Sequence, residues 1–323
     1  MSVLSKPYMH DEAAAFAHVE SIIWPDGPVC PHCGVVDRAY KLEGVRTKSS
    51  KKNPEGKERF GLWKCRECRK QFTVRKGTIF EESHIEMFKW LQAIHLIVSS
   101  KKGVSAHQLH RVLEVTYKTA WFLAHRIREC MRSDGNVDFG AGGGVVEVDE
   151  TFIGSNPDKP KKKGARGYAH KNAMLSLVDR STRCAKSIVV DDVTKATLLP
   201  ILRENIAKEA TVYTDEAKQY SKLGQDFADH DFTTHSRGEY VRGDVHTNTI
   251  EGYFSIFKRG MKGVYQHCAK KHLHRYAAEF EFRYNYRAAH EISDTERFSI
   301  LLRSTSGKRL TYAGPDAAQS EAN

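Results

Sequence analysis

With 323 residues, of which 40% are hydrophobic and 28% charged, the chain is long enough for two or three domains and has the make-up of a folded, water-soluble protein. It contains no run of about 18 apolar residues, so no membrane span is expected. The opening "MSVLSKPYMHDEAAAF" lacks the apolar centre of a secretory signal, so a cytoplasmic protein is expected. The net charge is +11, and nearly all of it sits in residues 38–76, where 14 Lys and Arg face four Glu. A segment of that kind releases counterions when it meets phosphates, which points to a nucleic-acid partner.

Of seven cysteines, four form two pairs, Cys30/Cys33 in "CPHCG" and Cys65/Cys68 in "CRECRKQF". Two C-x-x-C turns supply four thiolates from two knuckles, the set tetrahedral Zn²⁺ takes in a structural site. Redox chemistry is the lesser reading in a cytosolic chain. Gly34 allows the tight turn after the second thiolate. The 31 residues between Cys33 and Cys65 make the basic stretch 41–59 an inserted hairpin or loop. A zinc ribbon is therefore expected over residues 20–80, with His32 exposed.

From Ile85 the apolar residues take a helical period. In "IEMFKWLQAIHLIVSS", Ile85, Trp90, Ile94 and Ile97 broaden one apolar face. "KKGV" breaks it, Ser105 caps "SAHQLHRVL", and "EVTYKT" leads into "AWFLAHRIRECM". Two short amphipathic helices around a tight turn fit a helix-turn-helix, expected over 84–132. The second helix of such a unit enters the major groove, and Lys118, Arg126 and Arg128 are its candidate DNA contacts. Residues 133–144, "SDGNVDFGAGGG", read as a linker.

Beyond it, "VVEVDETFIG", "NAMLSLVDR" and "AKSIVVDDV" make three successive strands. "TKATLLPILRENIAKE" is an amphipathic helix capped by Thr194, and "ATVYTDEAKQY" is a fourth strand ending at Asp215. A helix in "HTNTIEGYFSIFKRG" carries Glu251 and, seven residues on along the same face, Lys258. That order is the order of a ribonuclease-H-like sheet, in which the first and fourth strands lie side by side, so Asp149 and Asp215 should meet at neighbouring strand ends. Glu147 alternates with Asp149 on one strand face and could point the same way. Glu150 and Glu216 should point elsewhere. In "HRYAAEFEFRYNYR", Tyr276, Phe280 and Tyr284 are expected in the core, with Arg275, Arg283 and Arg287 outward. The basic loop 154–171 is expected to grip DNA, and 304–323 to be a tail.

The blocks "VVEVDETFIG", "VYTDE" and "HTNTIEGYFSIFKRGMKGVYQH", with the final gap of 35 residues and a zinc ribbon ahead, resemble the zinc-ribbon DDE transposases of small bacterial insertion sequences, akin to Merlin elements. The resemblance spans roughly residues 20–300. It implies an α/β protein with an N-terminal zinc ribbon and helix-turn-helix ahead of a ribonuclease-H-like catalytic domain over 145–300. It implies that element ends are bound at their inverted repeats, then cleaved and joined to target DNA by a homo-oligomer on double-stranded DNA. Two Asp and one Glu match the oxygen donors that Mg²⁺ or Mn²⁺ prefers in phosphodiester chemistry. Asp149, Asp215 and Glu251 are the expected catalytic ligands. Asn248, one turn before Glu251, is the alternative third ligand, since some relatives carry Asn there. Lys258 and Arg259 would contact the phosphates. The competing functions are a non-catalytic DNA-binding regulator and a structure-specific nuclease of the same fold.

Overall fold

A computed structural model describes residues 3–311, except 52, 134, 136, 137, 157, 160–166, 221, 222, 235, 236 and 240. The chain forms two compact units. One comprises residues 1–100, 104–131 and 292–323; the other comprises 101–103 and 132–291.

The first unit begins with helix α1 (Glu12–Ile23), whose Asp11 accepts the Ala14 N–H as an N-cap. A three-stranded antiparallel meander follows, β1 (Ala39–Lys41), β2 (Trp63–Cys65) and β3 (Gln71–Phe72). Between β1 and β2 the basic insert folds back on itself as a hairpin, with Thr47 N–H donating to Lys57 and Arg59 N–H donating to Val45. Helix α2 (Met87–Ser99) lacks a cap from its own N-cap residue. Glu12 of α1 takes that part, accepting the N–H groups of Met87 at 2.6 Å and Phe88 at 3.3 Å, and Arg75 pairs with the same carboxylate. Helix α3 (Ala106–Leu113) is capped by Ser105 as expected, its hydroxyl accepting from Gln108 N–H. It ends at Glu114, in the left-handed region, and α4 (Tyr117–Met131) starts three residues later.

The second unit holds a five-stranded sheet of order β6-β5-β4-β7-β8. Its strands are β4 (Val145–Ile153), β5 (Asn172–Asp179), β6 (Ala185–Val190), β7 (Thr211–Asp215) and β8 (Asp229–Thr233). β4, β5 and β6 form the antiparallel meander, while β7 runs parallel to β4 and β8 parallel to β7. The fifth strand, "DHDFT", and the small hairpin β9 (Val241–Arg242) and β10 (Val245–His246) fall within the 35-residue gap, where no strand was expected. Both are short and polar, and so lack the alternation that marks a half-buried strand.

Each sheet face has its own core. Val146 and Val148 of β4 join Leu198, Leu199 and Leu202 of α5 (Lys195–Asn205) on one face. On the other, Ile153 and Met174 meet α6 (Asn248–Gly260) and α7 (Lys270–Asn285) through Ile250, Tyr253, Phe257 and Phe280. Thr194 is the N-cap of α5 by position, but Asp192 does the bonding, accepting from Thr194 N–H and the Thr197 hydroxyl. Tyr276, Phe280 and Tyr284 are buried as expected. Arg283 is not outward: it is 7% exposed and pairs with buried Glu279 one turn back.

The last helix, α8 (Asp294–Arg303), opens with a full capping box of Ser293 and Glu296. It groups with α1 and α2 in the first unit, and the second unit closes at Glu291. Arg297 fastens it by donating to the Val98 carbonyl. Most of the expected tail, residues 312–323, lies outside the described residues, as do 157 and 160–166 of the basic loop. Among the described residues no helix is long and apolar enough to cross a membrane.

Candidate metal centres and active site

The four paired cysteines gather so that their sulfurs all lie within 4.8 Å of one another. Cys30 and Cys68 stand 3.6 Å apart, and Cys33 and Cys65 3.7 Å. A regular tetrahedron with Zn–S of 2.3 Å has edges of about 3.8 Å, so the cage fits zinc. Gly34, at φ +76, turns the chain after Cys33 and donates its N–H to the Cys30 carbonyl. Trp24 packs edge-on against Trp63 and Phe72 beside the cage. Trp24 and Trp63 are partly buried and pack against the cluster of Cys30, Cys65 and Phe72.

In the helical part of the same unit, Lys118 is exposed near the start of α4. Arg126 and Arg128 are not available to DNA: they are 5% and 2% exposed. Arg126 donates to the backbone carbonyls of Glu81 and Leu310 and lies over the rings of Trp90 and Phe122. The face of α4 that reads as polar in sequence is turned inward here, and the guanidinium ties separate backbone segments together.

In the second unit the parallel register pairs Val145 with Thr211 and Glu147 with Tyr213. Carried two residues further, it sets Asp149, in the middle of β4 and not at the strand end that was expected, beside Asp215 at the end of β7. Asp149 accepts the N–H of Glu150, and Asp215 that of Ala217. Burial, and then the Asp215 charge, push the Asp149 carboxyl up to about 7; the Lys258 ammonium opposes that rise. A pair of carboxylates held this close in a half-dry site favours a bound cation. Glu150 accepts from the Tyr220 hydroxyl and Gln219, and it stays close enough to feel the Asp215 charge.

Glu147 does not join the aspartates. It is fully buried and clamps the start of α6 to β4. One oxygen accepts from Arg180 Nε at 2.6 Å and the Thr249 hydroxyl at 2.8 Å; the other accepts the Ile250 N–H at 2.9 Å. Thr247, the N-cap residue, makes no side-chain cap bond, so the anion at the helix N-terminus comes from the strand. Arg180 also donates to the carbonyls of Asp244 and His246. Nothing in the sequence ties Arg180 to a glutamate 33 residues earlier.

The structure thus brings Asp149, Asp215 and Lys258 together. Asn248 and Glu251 both lie exposed in the first turn of α6, and Arg259 is exposed in the last. Among the described residues, the cysteine cage is the one set of three or more such ligand atoms within 4.8 Å; the three carboxylates do not converge to that degree.

Comparison with known proteins agrees with this layout. Residues 142–285 match the ISXO2-like transposase domain, and residues 10–71 match the transposase zinc-ribbon domain. The uncharacterized protein in transposable element ISH50 of Halobacterium salinarum is 28% identical over 276 residues, covering 81% of this chain and 87% of the relative. An uncharacterized transposase-like protein of Haemophilus influenzae is 31% identical over 99 residues, covering 31% of this chain and 79% of the relative. The Cys₄ ribbon lies within the residues matched by the zinc-ribbon domain, and the mixed five-stranded sheet lies within those matched by the transposase domain. The chain belongs to the ISXO2-like transposase family.

Proposed function

We propose that this protein binds the ends of its own insertion sequence, cleaves them and joins them to target DNA in a reaction that needs divalent metal. The observation that carries the reading is the placement of Asp149, within β4, next to Asp215 at the end of the parallel strand β7, with Lys258 beside them. The two aspartates would hold Mg²⁺ or Mn²⁺, with a third ligand from the first turn of α6. Glu251 is our choice because an anionic oxygen suits a hard cation better than an amide, and Asn248 is the alternative. The metal supplies the Lewis acidity that phosphodiester cleavage requires. Lys258 neutralises phosphate at the cleaved end, and Arg259 continues that track along α6. Lys118 and the basic ribbon insert contact the duplex, with Cys30, Cys33, Cys65 and Cys68 holding structural zinc.

The test is a nicking and strand-joining assay on labelled element ends with Mg²⁺. Asp149→Asn and Asp215→Asn should bind ends normally and lose both reactions. Wild-type rates in either variant would remove the assignment. Loss in Glu251→Gln with activity in Asn248→Ala makes Glu251 the third ligand, and the reverse makes it Asn248. A wild-type protein that binds ends and neither nicks nor joins them would be a regulator instead.

A further inference from the structure

Next to the aspartates the second unit holds a cavity of about 400 Å³ that metal chemistry does not explain. Phe152, Tyr168, Lys171, Lys258, Lys262 and Gln266 line it. Tyr168 is 57% exposed, unusual for a large ring, and it lies nearly parallel to Phe152, with centroids 5.2 Å apart and planes inclined by 19°. Lys171 Nζ sits 4.9 Å from the Tyr168 centroid. The cavity therefore offers an aromatic platform braced from behind, with three ammonium groups around it. Glu150, the acid among the lining residues, is engaged by Tyr220 and Gln219.

The opposite wall is built with care. After α6 the chain makes a π-helical turn, Met261–Tyr265, closed by the Gln266 N–H donating to the Met261 carbonyl at 2.8 Å. Gln266 itself has φ +54 and ψ −55, a conformation a non-glycine residue adopts at a cost. The turn is pinned from beneath, because the Tyr265 hydroxyl and Arg283 both donate to buried Glu279. A π turn advances the chain differently from an α turn, and it brings Lys262 and Gln266 to the same cavity as Lys258. The exposed Gln266 carboxamide carries both donor and acceptor, the pair that can read a base edge.

We propose that this cavity receives one unpaired nucleotide of the DNA strand next to the cleavage position, its base stacked on Tyr168 and its flanking phosphates held by Lys171, Lys258 and Lys262. A paired base has both faces covered by its neighbours, so a single ring platform selects a base out of the duplex. The inference rests on the proposed reaction, since it places the strand by the aspartates, but its test is independent of cleavage.

Equilibrium binding is measured without divalent metal. The probes are a duplex with a short single-stranded tail carrying 2-aminopurine, the same sequence as a blunt duplex, and free deoxyadenosine monophosphate. The wild type should prefer the tailed duplex and quench the 2-aminopurine. Tyr168→Ala should weaken tail binding by roughly 5- to 150-fold, the range for losing one base–aromatic stack, and leave blunt-duplex binding unchanged. Tyr168→Phe should keep both the preference and the quenching, which separates stacking from any disturbance of the loop. An unchanged tail preference in Tyr168→Ala overturns the proposal, and so does the absence of quenching in the wild type. Displacement of the tail by micromolar deoxyadenosine monophosphate also overturns it, because the cavity would then be a site for free nucleotide. A wild type that cleaves with Mg²⁺ yet lacks the tail preference refutes this site alone; one that shows the preference and never cleaves refutes the reaction alone.

Discussion

Glu147 is the most informative residue to remove, because it joins the strand of Asp149 to the helix turn that carries both Asn248 and Glu251. Glu147→Ala leaves the Arg180 guanidinium without its carboxylate and the buried Ile250 N–H without an acceptor. Breaking a buried ion pair from one side costs about 3–5 kcal/mol. Arg180 is 20% exposed and keeps the carbonyls of Asp244 and His246, so the lower end, about 3 kcal/mol, is expected. That is roughly a 150-fold rise in the population with the α6 N-terminus open. Hydrogen exchange read by mass spectrometry on peptides covering 145–153 and 248–260 should speed up by about that factor. The four tryptophans, Trp24, Trp63, Trp90 and Trp121, all lie in the other unit, so their fluorescence transition is a control and should not move. Activity should fall whichever α6 residue is the third ligand. Pairing Glu147→Ala with Arg180→Met should recover part of the lost protection, since the orphaned charge is gone. Unchanged exchange at 248–260 in Glu147→Ala would refute the clamp.

Three further outcomes are expected. Purified protein should carry about one zinc per chain, and Cys65→Ser/Cys68→Ser should lose it together with the Trp63 environment; zinc retained in full would rule out the cage. Arg126→Ala should lower the thermal midpoint of the first unit by several degrees, for a loss of about 2 kcal/mol, while DNA affinity at matched folded fraction stays constant, and Lys118→Ala should do the opposite. Glu281, on α7, accepts the Ser187 N–H at 3.1 Å, and burial raises its carboxyl to about 7. Between about pH 4.5 and 7 the folded protein holds a proton that the unfolded chain has released, so stability should fall as pH rises through that window. With allowance for partial solvent access the fall is about 2 kcal/mol, and Glu281→Gln should flatten the urea-midpoint profile; an unaltered slope in that variant would assign it to another group.

Local signals carry far in this chain. Each C-x-x-C knuckle needs only short-range geometry, with Gly34 turning the first, and the sequence shows two of them; the pairs that close the cage, Cys30 with Cys68 and Cys33 with Cys65, join the two knuckles. The strands of Asp149 and Asp215 are legible because each carries alternating apolar residues ahead of its acid, and parallel pairing of the first and fourth strands then sets the two carboxylates side by side, although β4 runs on to Ile153. Ser105 caps its helix as its residue type dictates. What the sequence could not supply is the destination of a charged side chain. Arg126 and Arg283 look like surface arginines because helical period says only which residues share a face, and both are buried because partners distant in sequence or on the hidden side of a helix receive them. Glu147 shares a strand face with Asp149, yet it becomes a structural clamp because Arg180 and the start of α6 arrive above it. Chain order groups residues up to 300 with the sheet, and α8 packs with α1 and α2 because chain order does not determine which apolar face a helix covers. The π turn that brings Lys262 and Gln266 to the cavity is also a tertiary choice: hydrogen bonding to buried Glu279 holds a backbone path that no local propensity favours.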